Sequence, residues 1–331
     1  MQAEGTLLLR RSHVAQLLSL KDCIDAVEEI FRLQGDGKVP APGVLGIKAP
    51  SGGLHIKAGL LRGQRSYIVA KLNTNFSGNS ARFGLPTIQG TIVLYDGENG
   101  SPLALLDSVD ITVKRTAAAS AVAAKYLARV NSRVGTVCGC GRQGRAQLRA
   151  ICAVLPLKKM YVFDLNECAA KELAIELADE LRLEIEPVRD LPRAIQQSDV
   201  CLTCTTSREF FVCKEHVSAG TFIAAVGADD EHKQEIDPAL MASAKVVADS
   251  REQCCNIGDV HHAISHGLMR TENVYAELSE IVAGRKPGRI SEDEIIIFDS
   301  TGIAIEDAVA TAVVYEKART ARIGSYFNFA A

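Results

Sequence analysis

The sequence predicts an α/β protein in which a doubly wound parallel-sheet domain is inserted in a second, β-rich α+β domain. Between residues 133 and 250, short apolar runs alternate with helical segments, a pattern typical of a parallel sheet with helices on both faces. From 43 to 106 the pattern is instead one of short β-like runs broken by glycine. A last strand, a turn and a long helix occupy 294–318. We place the first domain at 1–125 plus 299–331, with the C-terminal helix returning to it, and the inserted domain at 126–298.

The first domain begins with an amphipathic helix over 19–34. Its apolar residues recur at steps of three and four: Leu20, Ile24, Val27 and Phe31. Ser19 followed by Asp22 is typical of a capped helix start. Four β-like runs follow: "LHIKAGL" at 54–60, "YIVAKLN" at 67–73, "GTIVLYD" at 90–96 and "PLALLD" at 102–107. A long alanine-rich helix is predicted over 113–130.

The inserted domain begins with the strand "RVGTVCGCG" at 133–141, followed by a helix to Val154. Two further helices are predicted over 166–181 and 191–197. The remaining predicted strands lie at 158–165, 183–188, 199–205, 221–228 and 245–250.

The composition is that of a globular protein with a sizeable core. The chain has 331 residues, 47% hydrophobic and 23% charged, with a formal net charge of −3. Neither the overall charge nor any local block of like charges favours nucleic acid or an anionic membrane as a partner. No apolar run approaches the roughly 18 residues of a spanning helix, and "MQAEGTLLLRRSHV" lacks the apolar segment of a signal peptide. We therefore expect a cytoplasmic protein with no nucleic-acid or membrane partner.

Ten cysteines raise the alternatives of disulfides and a zinc site. Disulfides are not expected in a long chain without an export signal. The pairs Cys138/Cys140 and Cys201/Cys204 resemble zinc half-sites, but both lie in runs typical of buried strands. Cysteine in such a run most often acts as a small hydrophobic residue, so we predict packing roles and no metal.

The segment "GCGRQG", residues 139–144, has the glycine spacing of a dinucleotide-binding turn. An apolar strand precedes it, a helix follows it, and Asp164 lies at the end of the next strand, 20 residues past Gly144. In a Rossmann-type domain the glycines allow a tight turn, close approach of the pyrophosphate and close helix packing, while the carboxylate accepts the ribose hydroxyls. Asp164 favours NAD over NADP. Arg142 leaves NADP open as the alternative.

Four motifs together resemble the ornithine cyclodeaminase and mu-crystallin family over almost the whole chain. They are "VKRTAAASAVAAKYLAR", "GCGRQG", "IAAVGADDEHKQEID" and "FDSTGIAIED". The resemblance implies hydride exchange between a nicotinamide and the α-carbon of a small amino or imino acid. It also implies a homodimer formed through the β-rich domain.

The resemblance assigns roles to three charged residues. Lys71 matches a catalytic lysine that contacts the substrate carboxylate, and Arg115 matches an arginine between cofactor and substrate carboxylate. Asp229 matches the catalytic acid/base. From the residues alone, Lys71 could be a surface lysine whose stem lies along the strand, and Arg115 a solvated helix residue.

Other positions match cofactor or substrate contacts of the family. Those assigned to the cofactor are Thr87, Gly139, Gly141, Arg142, Gln143, Gly144, Asp164, Thr205, Ile223, Ala224, Ala225, Val226, Lys233 and Ser300, together with Arg115. Thr301 is assigned to the substrate. The histidines of "DVHHAISHG" match no site of the family and are expected at the surface or in packing.

The chain departs from the family pattern where the substrate would bind. The family often has an arginine in a proline-rich turn, where this chain has "VPAPGVLG". Ornithine cyclodeaminase has a glutamate facing the distal amine, where this chain has Leu54, with Lys57 close behind. A distal ammonium would lose its anionic partner and meet a cation, so Lys57 favours a second carboxylate or replaces the missing arginine.

These observations favour an NAD(H)-dependent enzyme that reduces a small 2-imino acid to the L-amino acid or runs the reverse reaction. Two alternatives stay open. One is ornithine cyclodeaminase, a lyase that forms L-proline and ammonia with catalytic NAD. The other is a mu-crystallin-like binding protein without enzymatic activity, although such a protein would have less need of Asp229.

Overall fold

The structure is a computed structural model, which describes residues 5–63 and 65–329. The chain divides into two compact units. The first unit comprises Met1–Arg115 and Ile303–Ala331, and the second comprises Thr116–Gly302. These bounds differ from the domain limits of 125/126 and 298/299 that the sequence suggested. The alanine-rich helix begins at Val109 and not at 113, and part of it is counted with each unit.

The described residues form the following strands and helices, each numbered in chain order. The strands are β1 (Thr6–Leu9), β2 (Gly43–Ala49), β3 (Gly52–Leu61), β4 (Tyr67–Asn75), β5 (Ile88–Asp96), β6 (Pro102–Asp107), β7 (Val134–Cys138), β8 (Lys159–Phe163), β9 (Glu184–Pro187), β10 (Val200–Thr203), β11 (Phe222–Ala225), β12 (Lys245–Ala248), β13 (Ala276–Glu277), β14 (Ile296–Asp299) and β15 (Ser325–Phe327). The helices are α1 (Arg11–Leu17), α2 (Leu20–Gly35), α3 (Asn79–Phe83), α4 (Val109–Leu127), α5 (Arg142–Val154), α6 (Glu167–Leu181), α7 (Leu191–Gln196), α8 (Pro238–Ser243), α9 (Arg251–Ile257), α10 (Asp259–Ser265), α11 (Leu278–Val282) and α12 (Ala304–Ala321).

The first unit is built on a seven-stranded mixed sheet in the order β15-β1-β6-β5-β4-β3-β2. Helix α12 packs against β3, β4 and α2. The predicted capping of α2 is confirmed, because Ser19 and Asp22 form a reciprocal capping box. The apolar stripe of α2 is buried at Ile24, Val27 and Phe31. The core of this unit therefore lies between the sheet and helices α2 and α12.

The second unit is a parallel sheet in the order β13-β12-β14-β11-β10-β7-β8-β9. Strands β8 and β9 lie on one side of β7 and β10 on the other, so the strand order reverses between β7 and β10. Ligands of doubly wound sheets bind at this reversal, outside the carboxyl ends of the strands. The prediction of a Rossmann-type sheet together with a separate, β-rich mixed-sheet unit is confirmed.

Several elements had no counterpart in the sequence prediction. Strand β15 lies at one edge of the first sheet and pairs antiparallel to β1. Helices α9 and α10 were also not predicted, and α10 carries His261 and His262. Within the described residues, no helix has the length and apolarity needed to cross a membrane.

Candidate functional site

Lys71 lies on β4 in the first unit and is only 3% exposed. Its cross-strand partners are Lys57 on β3 and Ile92 on β5. Directly opposed residues of an antiparallel pair project from the same face of the sheet, so Lys57 and Lys71 share a face. The alternative of a surface lysine at position 71 is therefore wrong.

The first turn of α12 supplies two buried carboxylates beside Lys71. Asp307 Oδ2 accepts a hydrogen bond from Lys71 Nζ at 2.5 Å, and Asp307 Oδ1 accepts one from Arg115 Nε at 2.9 Å. Glu306 Oε2 accepts from Arg115 Nη1 at 2.7 Å. Arg115 is 4% exposed, which excludes the solvated helix residue that the sequence left open. We call Lys71, Arg115, Glu306 and Asp307 the buried charge cluster, and the half-buried Lys57 is its neighbour on β3.

Burial and charge act in opposite directions within this cluster. Burial, with the smaller effects of Arg115 and Lys57, lowers the pKa of Lys71 to about 7, against the raising effect of Asp307. Burial alone would raise the pKa of Asp307, but Arg115 and Lys71 hold it below its ordinary value. Asp307 therefore stays ionised at neutral pH, whereas Lys71 gains or loses its proton near pH 7. Such a perturbed group in a cluster of opposite charges is a common feature of functional sites.

In the second unit, the glycine-rich segment forms the turn between β7 and α5. Gly139 has φ +98, a conformation that favours glycine. A Cβ on Gly144 would lie 2.0 Å from the Gly139 carbonyl oxygen, so only glycine allows this approach of helix to turn. Gly141 is the N-cap of α5, and a Cβ there would meet no described atom within 4 Å. The turn thus has the shape that a pyrophosphate requires at a helix N-terminus.

Asp164 follows β8 and lies beside this turn. Its Oδ2 accepts the Cys140 N–H at 2.8 Å, and its Oδ1 accepts the Asn166 N–H at 2.8 Å. The carboxylate is half-buried, whereas Leu165 next to it is almost fully exposed. This position fits the hydroxyl pair of a ribose whose pyrophosphate lies at the glycine turn.

Thr205, after β10, is held by a buried carboxylate that the sequence analysis missed. Glu235 Oε1 accepts hydrogen bonds from the N–H and hydroxyl of Thr205, at 2.6 and 2.7 Å. Its Oε2 accepts from the Thr203 hydroxyl at 2.6 Å and from the Gly227 N–H at 2.9 Å. Burial, together with the Asp259 carboxylate, raises the pKa of Glu235 to about 7. Glu235 therefore ties the loops after β10 and β11 to each other.

The predicted nicotinamide lining, Ile223–Val226, forms β11 and the residue after it, all buried. Ser300 follows β14, and its backbone N–H donates to the Ala225 carbonyl at 3.0 Å. Asp249 Oδ2 accepts from the Ser300 hydroxyl at 2.8 Å and from the Gly302 N–H at 2.6 Å. Thr301, between them, is 4% exposed. The carboxyl edge of this sheet thus brings the turns after β7, β8, β10, β11 and β14 together.

The strand predicted at 221–228 ends at Ala225, so Asp229 lies four residues past the end of β11 and belongs to the following loop. Its side chain is 52% exposed, and Oδ1 accepts from Lys233 Nζ at 2.5 Å. Asp230, its sequence neighbour, is exposed and accepts the His232 N–H. Asp229 and Lys233 are thus paired at the carboxyl edge of the sheet, where ligands of doubly wound folds bind.

The other predicted positions are more dispersed. Thr87 lies in the first unit just before β5, and its carbonyl accepts the Phe76 N–H at 2.9 Å. Arg142 and Gln143 form the first turn of α5. His261 and His262 on α10 are half-buried, and the His262 ring bonds to the Lys233 carbonyl. His266, just after α10, is exposed, and its ring bonds to the His262 carbonyl.

All ten cysteines are free, and Cys138 and Cys201 are buried in β7 and β10 as the pattern predicted. Within the described residues, one group offers three possible metal ligands within 4.8 Å: Cys213, Glu215 and His216. They lie in a short turn near the surface, and His216 Nδ1 already accepts the Cys213 N–H at 3.4 Å. A structural zinc site takes four ligands, so this group does not make one.

The residues that sequence reasoning missed are mostly buried acids: Glu235, Asp249, Asp259, Asp299, Glu306 and Asp307. One signal was available for the last two. They form an acidic pair among apolar residues in "GIAIEDAVATAVV", where a solvated helix would place polar residues on one face only.

The geometry defines a protein with a Rossmann-type sheet in one unit and a buried cluster of paired charges in the other. Residues 4–322 match the sequence model of the ornithine cyclodeaminase/mu-crystallin family. The chain belongs to this family, which confirms the resemblance of the four motifs. Its named relatives make it an enzyme of the dehydrogenase and reductase kind.

Three relatives illustrate the likeness. A solved archaeal alanine dehydrogenase, a dimer with bound NAD, is 38% identical with a TM-score of 0.94, over 98% of this chain and 99% of the other. The Δ1-pyrroline-2-carboxylate reductase of Thermococcus litoralis, solved with NADH and L-proline, is 35% identical with a TM-score of 0.90, over 97% and 100%. Iminosuccinate reductase of Paracoccus denitrificans is 40% identical over 237 residues, 71% of this chain and 73% of the other.

Proposed function

We propose that this enzyme uses NAD(H) to reduce a small 2-imino acid to the corresponding L-amino acid, or to run the reverse oxidation. The observation that carries the proposal is the buried charge cluster. Lys71 and Arg115 are both nearly inaccessible, and both are directed by one carboxylate. Two oriented cations of this kind suit the α-carboxylate that every 2-imino acid carries.

The second unit supplies the features that fit the cofactor. The turn at 139–144 and Asp164 fit the pyrophosphate and adenosine ribose, and Thr205, Ile223–Val226 and Ser300 line the same sheet edge. NADH, when bound, supplies the hydride that adds to the C=N carbon. Asp229 would give a proton to the substrate nitrogen in reduction and take it back in oxidation. Lys71 and Arg115 would hold the carboxylate and so orient the imine.

The direct test is NADH consumption by the purified protein with a panel of substrates. The panel holds cyclic imino acids, 2-oxo acids with ammonia or methylamine, and oxaloacetate with ammonia. Stoichiometric loss of NADH with one of them supports the proposal and identifies the substrate class. L-ornithine with NAD is run beside them, and ammonia with L-proline but no net NADH would favour the lyase. Nicotinamide binding without any turnover would favour the non-enzymatic binding protein.

We expect Asp164→Ala to raise the dissociation constant of NADH about tenfold or more and to change that of NADPH much less. The carboxylate provides charge-assisted acceptors to a ribose diol, whereas it would repel a 2′-phosphate. Nicotinamide fluorescence measures both dissociation constants. Asp179→Ala, which removes an exposed acid of α6, is the matched control. Equal losses for both cofactors would mean that Asp164 does not hold the ribose hydroxyls.

The substrate class is narrowed by Lys57, which lies opposite Lys71 on the same face of the sheet. Like charges directly opposite each other are unfavourable unless anions lie between them. Asp307 bonds to Lys71 and is also stabilised by the charge of Lys57, and a second carboxylate on the substrate would provide another anion. We therefore propose an iminosuccinate-like dicarboxylate as the preferred substrate class, ahead of an imino acid with an apolar side chain.

We expect Lys57→Met to raise the KM for a dicarboxylic imine about tenfold or more while leaving the KM for a cyclic monocarboxylic imine within about threefold. The lost charge-assisted contact accounts for this size of effect. The ratio of kcat/KM values for the two substrates is the measurement. Lys38→Met, at an exposed lysine paired with Asp36, serves as control. If both KM values stay the same, Lys57 has no part in substrate recognition.

The first unit also supports a homodimer. Strand β2 is the edge of the sheet, and it leaves Val44, Leu45 and Ile47 about half exposed. An apolar edge strand of this kind is usually covered in the native assembly. A second copy is the proposed cover, in keeping with the dimeric archaeal relative, and light scattering on the assayed sample would report it.

A further inference from the structure

Asp307 joins the two cations that the proposed function assigns to the substrate carboxylate. One of its oxygens accepts from Lys71 Nζ at 2.5 Å and the other from Arg115 Nε at 2.9 Å. The three residues are 1–4% exposed. Because each oxygen holds one cation, the plane of this carboxylate fixes the direction of both.

The three residues belong to the first unit and lie on three regular elements: β4, the first part of α4, and α12. Asp307 is in the first turn of α12, where a negative charge is favoured by the helix dipole. The same end of α12 lies against β3, since a Cβ on Gly59 would be 3.8 Å from Ile305. A site built on packed elements keeps its side chains in place more accurately than one built on loops.

We propose that Asp307 is a positioning residue for this reaction: it holds Lys71 and Arg115 in the arrangement that binds the substrate carboxylate and keeps Lys71 charged. The inference rests on the proposed function and deepens it. Asp307 does not itself contact the reacting atoms and acts through the two cations.

The charged surroundings of Lys71 explain why a single carboxylate decides its protonation. Strand β3 contributes Lys57, α4 contributes Arg115, α12 contributes Asp307 and Glu306, and β5 contributes the apolar Ile92. Cys23 on α2 stays a neutral thiol, because burial and Glu306 raise its pKa to about 12. Burial and the two neighbouring cations all favour the neutral amine, and Asp307 is the group that favours the ammonium.

The test compares Asp307→Asn with Glu306→Gln. Both remove one buried charge from the first turn of α12 and from the neighbourhood of Arg115, but only Asp307 bonds to Lys71. We expect kcat/KM of the wild type to fall as pH rises past about 7, where Lys71 loses its proton. In Asp307→Asn the pKa of Lys71 drops further, so this fall should begin about one pH unit lower or more, with kcat/KM reduced about 100-fold. Glu306→Gln should raise KM without moving the profile.

A second readout does not depend on activity. Carbon-13 NMR of labelled lysine side chains follows the protonation of Lys71, whose signal is assigned by its loss in Lys71→Met. The titration midpoint of Lys71 should fall in Asp307→Asn and stay in place in Glu306→Gln. If the wild type reduces no imine of the panel, the proposed function fails while this measurement still decides the role of Asp307.

A Lys71 signal that titrates at the same pH in the wild type and in Asp307→Asn would overturn the inference, and so would a near-normal kcat/KM. If Asp307→Asn does not fold, Asp307→Glu is used, because it keeps the charge and displaces it by one methylene. Its kcat/KM should fall about tenfold or more while the pH profile stays in place. Unchanged kcat/KM in Asp307→Glu would show that the position of this carboxylate does not matter.

Discussion

Replacing Asp229 by asparagine is expected to lower kcat by about 10²–10⁴-fold while the dissociation constant of NADH changes less than about threefold. An amide at this position is isosteric with the carboxylate but neither gives nor takes a proton at neutral pH. The loop itself should persist, because its turn is fixed by the backbone hydrogen bond from Asp229 N–H to the Gly227 carbonyl and by Glu235 on the Gly227 N–H.

The chain offers a close control for this experiment. Asp230→Asn removes the adjacent carboxylate, which is exposed and bonds to the His232 N–H. Turnover should survive that change, and steady-state kinetics with nicotinamide fluorescence separate the two effects. Near-normal kcat in the Asp229 variant, or an equal loss in both variants, would remove Asp229 from the acid/base role.

Lys71→Met is expected to lower kcat/KM by about 10²–10³-fold, which is the size of effect seen when one preorganised hydrogen-bond donor is removed from an active site. Methionine fills a similar volume. Asp307 keeps Arg115 as its partner at 2.9 Å, so the remaining carboxylate is not left without a cation. The thermal unfolding midpoint should consequently move little.

Lys114→Met provides the contrast. Lys114 is half-buried in the same unit and caps α1, with Nζ donating to the Leu18 and Ala15 carbonyls at 2.6 and 3.2 Å. Its loss should lower stability and leave kcat/KM almost unchanged. If the Lys71 variant instead lost stability and activity in parallel, the lysine would be a structural residue of the buried charge cluster.

The sequence predicted those parts of the site that local chemistry determines. The glycines of 139–144 and Asp164 form a pattern within 26 residues, and Gly139, Gly144 and Asp164 each have a conformational or hydrogen-bonding reason for their place. The cap of α2 at Ser19 and Asp22 is equally local. Strand and helix periodicity was sufficient for the parallel sheet, because buried strands and their helices repeat along the chain.

The buried acids could not be found in this way, because their roles depend on partners far away in the sequence. Asp307 and Lys71 are separated by 236 residues, and Glu235 bonds to Thr205 30 residues before it. From the sequence alone, an acidic residue in a helix is as consistent with a side chain that faces solvent as with one that pairs with a buried cation. The placement of Asp229 beyond the end of β11, and of β15 beside β1, likewise depends on tertiary pairing.

The division of the first unit into two segments of the chain has a consequence for biosynthesis. The second unit, Thr116–Gly302, is one continuous stretch, whereas the first needs α12 and β15 from the last part of the chain. Domains generally fold as units while the chain emerges from the ribosome. The first unit is therefore completed only after the second has been synthesised. Until then its sheet lacks α12, and Lys71 and Arg115 lack Asp307. A premature stop between Gly302 and α12 would consequently leave the dinucleotide-binding sheet complete and the first unit without its helix and edge strand.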